Sequence, residues 1–203
     1  MAPEKKVDRR IQRTKLAIRE ALITLINEKG FDATLVSDIA ELADINRGTF
    51  YVHYQDKYDL LEKTQTEIIE NIQNIVLKVN DLNPFNVYNL EEPLPFIVSI
   101  FEYIKENADL MHALLNLEGG TPFQVRIRKI IEENLRLEFL SILKEKDFLV
   151  PSHYLISYVV SAHFGVIQDW LDRGCIESPA EMAIIITKIS WFGALRSTGY
   201  IQS

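Results

Sequence analysis

The chain has 203 residues, 47% hydrophobic and 25% charged, with one cysteine and a formal net charge of −7. That composition belongs to a globular protein with ample length for a core, not to a disordered or disulfide-built chain. A net negative charge argues against non-specific nucleic-acid binding, but the sign is unevenly spread. Residues 1–63 carry 11 basic and 11 acidic side chains, whereas the remainder carries 11 basic and 18 acidic. Lys5, Lys6, Arg9, Arg10, Arg13, Lys15 and Arg19 meet only Glu4 and Asp8 in the same stretch. Positive charge therefore gathers at the amino end.

The opening MAPEKKVDRR has no apolar core and no run reaches the ~20 apolar residues that span a bilayer, so a cytoplasmic protein without membrane contact is expected. Cys175 has no second Cys or His at ligand spacing, so no metal and no cofactor is expected.

From Arg9 to Lys29 the apolar residues Ile11, Ile18, Leu22 and Leu25, with Ala17, Ala21 and Ile26 alongside, follow a 3.6 period. Gly30 is placed to end that helix. Ser37 to Ala43 predicts a two-turn helix with Ile39, Ala40, Leu42 and Ala43 on its apolar side. Asp44-Ile45-Asn46 breaks it, since Asp and Asn accept turn conformations. Arg47 to Tyr54 predicts another short helix. It offers Phe50, with Tyr54, to a core and leaves Arg47, Thr49, Tyr51, Val52 and His53 for another surface. Asp56 caps the next helix, with Asp59 at capping-box spacing. A helix of two turns cannot stand alone in water, so its neighbours must hold it. Two readings stay open on this pattern: a helix-turn-helix that presents its second helix to DNA, or a pair of packing helices.

The next helix runs from Lys57 to about Asn80 with Leu61, Ile68, Ile72, Ile75 and Val79 on one stripe. Asn83-Pro84, Asn86, Asn89 and Pro93-Leu94-Pro95 mark a loop. Helices follow over Phe96–Glu106, Ala108–Leu117, Phe123–Lys146, Pro151–Asp172 and Ser178–Leu195, the last with Ser178 as cap and Pro179 in the first turn. The last two are apolar on most sides, which demands burial on most sides. Either they are the core of a monomer, or they pair with the same helices of a second copy.

The residues Ala21-Leu22, Leu25-Ile26, Gly30-Phe31, Ala33-Thr34, Asp38-Ile39-Ala40, Ala43, Ile45-Asn46-Arg47-Gly48-Thr49-Phe50-Tyr51, His53-Tyr54, Asp56-Lys57 and Leu60-Leu61 form one ordered series. It resembles the DNA-binding domain of the tetracycline-repressor (TetR) family of bacterial regulators. Asp44, Leu35 and Tyr54 depart from that pattern, where Gly, a small hydroxyl residue and Phe are usual.

The resemblance implies an all-α fold of about nine helices: a three-helix helix-turn-helix head over 1–56 and a ligand-binding and dimerisation domain over 57–203. It implies a transcriptional regulator, a ligand-released repressor on a palindromic operator, and no enzyme. DNA contacts would come from Thr34, Arg47, Gly48, Thr49, Tyr51, Val52, His53 and Lys57, with Arg47 reading guanine and Thr34 and Lys57 on phosphates. A small-molecule effector would meet Phe96, Phe101, Tyr103, Met111, His112 and Tyr158. A homodimer would bury Phe164, Ile167, Trp170, Leu171, Ile185, Ile189 and Phe192. Two alternatives remain: a nucleoid or division-associated DNA-binding protein on the same fold, and a helical enzyme using His112, His153 or His163 with Asp109, Asp169 or Glu102. The latter three acids and three histidines show no HExxH-like spacing.

Overall fold

A computed structural model describes residues 9–77, 92–117, 122–142, 148 and 150–197, with the side chains of 137–142, 191 and 194–197 outside that description. Among the described residues there are nine α-helices and no strand. They are α1 (Arg9–Lys29), α2 (Val36–Leu42), α3 (Arg47–His53), α4 (Lys57–Leu77), α5 (Pro95–Glu106), α6 (Ala108–Leu115), α7 (Pro122–Ile142), α8 (Ser152–Asp172) and α9 (Pro179–Ser197). Most boundaries fall within a few residues of those expected; the expected helix ends at Asn80 and Lys146 lie outside the described residues. Val79, the turn residues Asn83 to Asn89, the arm basics Lys5 and Lys6, and the side chains of Trp191 and Leu195 lie outside the described residues. No described helix is long and apolar enough to cross a membrane.

The chain divides into two compact units, the first ending at Ile68 and the second starting at Ile69. The first turns of α4 thus go with the head, beyond the boundary expected after residue 56.

In the first unit, α1 buries Ile18, Ala21, Leu22, Leu25 and Ile26. Ile11, expected on the same stripe, is 40% exposed, because this end of α1 runs beyond the core. Gly30 adopts φ +80° and its N–H donates to the Ile26 carbonyl, closing the helix. α2 contributes Ile39 and Ala40 to the core, whereas Leu42 is half exposed.

The turn after α2 explains the departure at Asp44. Ile45 N–H donates to the Ala40 carbonyl at 3.0 Å and Asp44 N–H to the Glu41 carbonyl at 3.1 Å. This is a Schellman closure, and it puts Asp44 at φ +52°, the left-handed position glycine usually fills. Asp is among the few other residues that tolerate it. Asn46 then caps α3, its Oδ1 accepting from Gly48 N–H at 2.7 Å. Phe50 is fully buried and Tyr54 nearly so. Asp56 Oδ1 accepts from the N–H groups of Tyr58 and Asp59 at 2.8 Å, while Asp59 Oδ2 accepts from Gln55 N–H at 2.9 Å. These caps fix where α4 begins.

In the second unit, α5 lies against α9 and α7 against α8, with α6 touching α7 and α8. Phe101 of α5 meets Trp170 of α8 edge-to-face at 5.2 Å. Ser178 and Glu181 form a reciprocal capping box at the start of α9: Ser178 N–H donates to Glu181 Oε2 at 2.7 Å, and Glu181 N–H to Ser178 Oγ at 3.2 Å. Hydrogen bonds from Ser178 hold the Glu181 carboxyl below its ordinary pKa. Gly193, with φ +64°, interrupts α9.

Candidate nucleic-acid interface and carboxy-terminal cavity

α3 has seven residues and one deep anchor, Phe50. Everything else on it is at or near the surface. Arg47 and Gly48 are exposed, Tyr51 is 57% and Val52 78% exposed, and Thr49 and His53 are half-buried. An exposed Val and Tyr on a helix this short gain nothing from solvent, whereas a groove lined by base edges and thymine methyls would use both. Gly48 leaves its outer side open, and the contact a Cβ there would make is with Asn46 Oδ1 at 3.3 Å. Beside the α2–α3 turn, Arg9, Arg10 and Arg13 line an open groove with Thr14, Ala17, Ala43 and Ile45. The amino-terminal cations and the turn thus border one surface, and Ala43 and Ile45 line this groove at half burial instead of filling the core.

Two expected phosphate contacts are corrected. Thr34 is fully buried, and its hydroxyl donates to the Gly30 carbonyl at 2.8 Å, which stitches the α1–α2 loop. Lys57 turns back onto that loop. Its ammonium donates to the carbonyls of Phe31, Asp32 and Thr34, each at 3.0 Å, and sits 4.8 Å from the Phe31 ring centre. An ammonium has three protons, and all three are used. Lys57 is a brace between α4 and the α1–α2 loop.

The second unit holds a cavity of about 150 Å³. Ile72 and Val76 of α4, Phe96, Ile97 and Ile100 of α5, Met111 and Leu115 of α6, Ile127, Ile130 and Ile131 of α7, and Phe164 and Ile167 of α8 are among its walls. Its polar members are Asn134 and His163. Burial pushes the His163 imidazole down to about 4, so it is neutral at physiological pH.

Of the six residues expected at an effector, Phe96, Phe101 and Met111 line this cavity. Tyr103, His112 and Tyr158 do not. The Tyr103 hydroxyl accepts from Asn71 Nδ2 at 3.2 Å. His112 is at the surface, 3.3 Å from an Asp172 oxygen. Tyr158 is 51% exposed. The walls from α4 and α7 were missed, because an Ile stripe reads as ordinary core. His163 is one of several polar residues of α8, with Ser157, Ser161, Gln168 and Asp169, and nothing in the sequence set it apart as a wall of the cavity.

The expected dimer surface also divides. Phe164, Trp170 and Leu171 are buried inside the chain, Phe164 with the Arg128 guanidinium 4.1 Å over its ring. Ile167 faces the cavity. Ile185 and Phe192 remain 36% and 37% exposed, Ile189 is half-buried, and Tyr154 on α8 is 67% exposed.

The three histidines weighed for catalysis stay apart. His153 and His163 are ten residues apart on α8, about 15 Å along the axis, and His112 meets the far end of that helix at Asp172. Among the described residues no three His, Cys, Asp or Glu side chains gather as a metal would require.

Comparison with known proteins matches this architecture in both units. Residues 18–64 match the family described as "Bacterial regulatory proteins, tetR family", and residues 91–190 match its "Transcriptional regulator C-terminal region". An uncharacterized HTH-type transcriptional regulator of Bacillus subtilis, YxbF, is 28% identical over 89% of this chain and 45% of its own length. IcaR of Staphylococcus aureus, the negative transcriptional regulator of the biofilm operon icaADBC, is 27% identical over 51% of this chain and 57% of its own. The chain therefore spans about half the length of these curated relatives. A TetR transcriptional regulator from Streptococcus agalactiae shares the fold, with a TM-score of 0.61, 23% identity, and coverage of 90% of this chain and 96% of its own. From the capped α2–turn–α3 head to the helical carboxy-terminal unit, the chain belongs to the tetR family of bacterial transcriptional regulators.

Proposed function

We propose that this chain is a ligand-released repressor that binds a palindromic operator as a homodimer. The observation that carries the reading is the exposed face of α3, where Arg47, Gly48, Tyr51 and Val52 stand on a helix anchored by Phe50 alone. Arg47 reads a guanine through O6 and N7, Val52 meets a thymine methyl, and Thr49, Tyr51 and His53 bond phosphates or base edges. The arginines at the start of α1 follow the neighbouring phosphates.

A seven-residue helix reads too few bases for a unique site, so two copies are needed. Ile185, Ile189 and Phe192 of α9, at i, i+4 and i+7, with Tyr154 and Tyr158 of α8, supply an apolar surface for self-pairing. Two reading helices about 34–36 Å apart would then enter successive major grooves. The negative regulator IcaR supports repression as the direction of control.

The cavity supplies the switch. α4 lends Ile72 and Val76 to its wall and begins at the Lys57 brace, so the same helix serves effector and head. A ligand that fits one position of α4 better than another shifts the population between DNA-competent and incompetent states. Selection of duplexes from a random pool by the full chain tests the reading. Enrichment of a two-fold symmetric site with half-sites one helical turn apart is expected; recovery of no preferred sequence overturns it.

A further inference from the structure

We propose that the carboxy-terminal cavity selects a neutral, ring-sized apolar molecule that donates one hydrogen bond, of the class of simple phenols, through the bare Nδ1 of His163. The inference rests on the reading of the chain as a ligand-responsive regulator and names the class of ligand.

The hydrogen-bond geometry around His163 points to one tautomer. Its Nε2 lies 2.7 Å from Ser190 Oγ, and Ser190 Oγ donates its own proton to the Ile186 carbonyl at 2.7 Å. A hydroxyl has one proton. With that proton given to Ile186, the Ser190 oxygen can only accept, so the hydrogen between the two side chains belongs to the imidazole. Nε2 carries the proton and Nδ1 is left with a lone pair. No described side chain or backbone group bonds Nδ1. Yet every sealed side-chain nitrogen and oxygen among the described residues has a partner, so Nδ1 keeps accessible surface on a residue that lines the cavity. Asn134, the other polar wall residue, gives one amide proton to the Ile130 carbonyl at 2.7 Å, which leaves it one acceptor, Oδ1, and one further N–H donor.

The remaining walls decide charge and size. Among the described residues they include no Lys, Arg, Asp or Glu, and the Arg128 guanidinium, 4.1 Å over the Phe164 ring, is not itself a wall, so neither a carboxylate nor an ammonium would find a direct counter-charge among them. An unpaired ion in such a site is strongly disfavoured. A carboxylate would also set its oxygen lone pairs against that of Nδ1. A cavity of about 150 Å³ holds one six-membered ring, as a comparable Leu/Ile/Phe-lined cavity takes up benzene. A phenol meets all three demands: ring size, neutrality, and an O–H to give.

Calorimetric titration of the full chain without DNA compares phenol, toluene and benzoate. Phenol is expected to bind about three- to tenfold tighter than toluene, the span of one net hydrogen bond, with no measurable uptake of benzoate. His163→Leu should bring phenol and toluene to equal affinity while toluene still binds. If that variant does not fold, the wild-type protein answers alone. The ¹⁵N resonance of unprotonated His163 Nδ1 should move on adding phenol and stay in place with toluene. Equal affinities in the wild type, tighter binding of benzoate, or an unmoved Nδ1 resonance would overturn the proposal. Operator release is read separately by fluorescence anisotropy on the selected duplex. Phenol binding without release would sink the regulatory reading and leave this one standing; release by some other ligand, with no preference for phenol over toluene, would do the reverse.

Discussion

Lys57 offers the sharpest test of how the head is held. Its ammonium closes the loop between α1 and α2 by serving three carbonyls at 3.0 Å, with the Phe31 and Tyr58 rings 4.8 and 5.4 Å away. Lys57→Met keeps the aliphatic stem and removes the charge. A hydrogen bond to a charged group contributes ~1.5–3 kcal/mol. The three here share one cation, and one of the carbonyls lies at an exposed position where water replaces the ammonium. The loss should therefore be nearer one such bond than three, about 2–3 kcal/mol. For a chain of this size that lowers the melting temperature by roughly 5–10 °C. Differential scanning calorimetry measures it. A phosphate-binding lysine predicts something else: an undisturbed melting temperature and a salt dependence of operator binding flattened by about 0.9 per lost contact. Titrating the operator at several salt concentrations separates the two. A variant with wild-type stability and a flattened slope would refute the brace.

Three further outcomes follow from named contacts. Arg47→Ala should leave folding intact and reduce discrimination at one base of each half-site by ~1–3 kcal/mol, read by competition between operator and point-mutated duplexes. Asp44→Ala should cost about 1 kcal/mol in chemical denaturation, because Ala tolerates a left-handed φ less well than Asp, whereas Asp44→Gly should cost nothing. Phe192→Glu or Ile185→Glu should give folded monomers by light scattering with operator affinity much reduced, while Phe164→Glu should fail to fold, its side chain being buried in the chain's own core.

Much of the head was legible because its constraints are local. Helix ends are set by caps within a few residues, and Gly30, Asn46 and Asp56 declare them. A helix of seven residues has so few positions that one buried Phe assigns the rest to the surface. Lys57 was misread because its partners lie 23 to 26 residues earlier, and nothing in a lysine at a helix start announces three carbonyls. Phe164, Trp170 and Leu171 were misassigned for a related reason. A helix apolar all round says only that most of it is buried, not whether its own chain or a partner does the burying.

The cavity was least legible, and the cause is chemical. Its walls are mostly Ile, Leu, Phe and Met from α4 to α9, with Val76, each of which an ordinary core would also use. A void differs from a core by what is missing between side chains, which leaves no mark on any one residue. What does leave a mark is a polar group that close packing would reject. His163 is such a group: burial holds it neutral, and its Nε2 is hydrogen-bonded to Ser190 Oγ at 2.7 Å. A helix position that tolerates Phe, Leu or Ile at its neighbours could have held any of them at 163 without this desolvation cost. In the proposed complex the Nδ1 lone pair is what a bound molecule would meet, which is why the tautomer at His163 is the most informative measurement on the second unit.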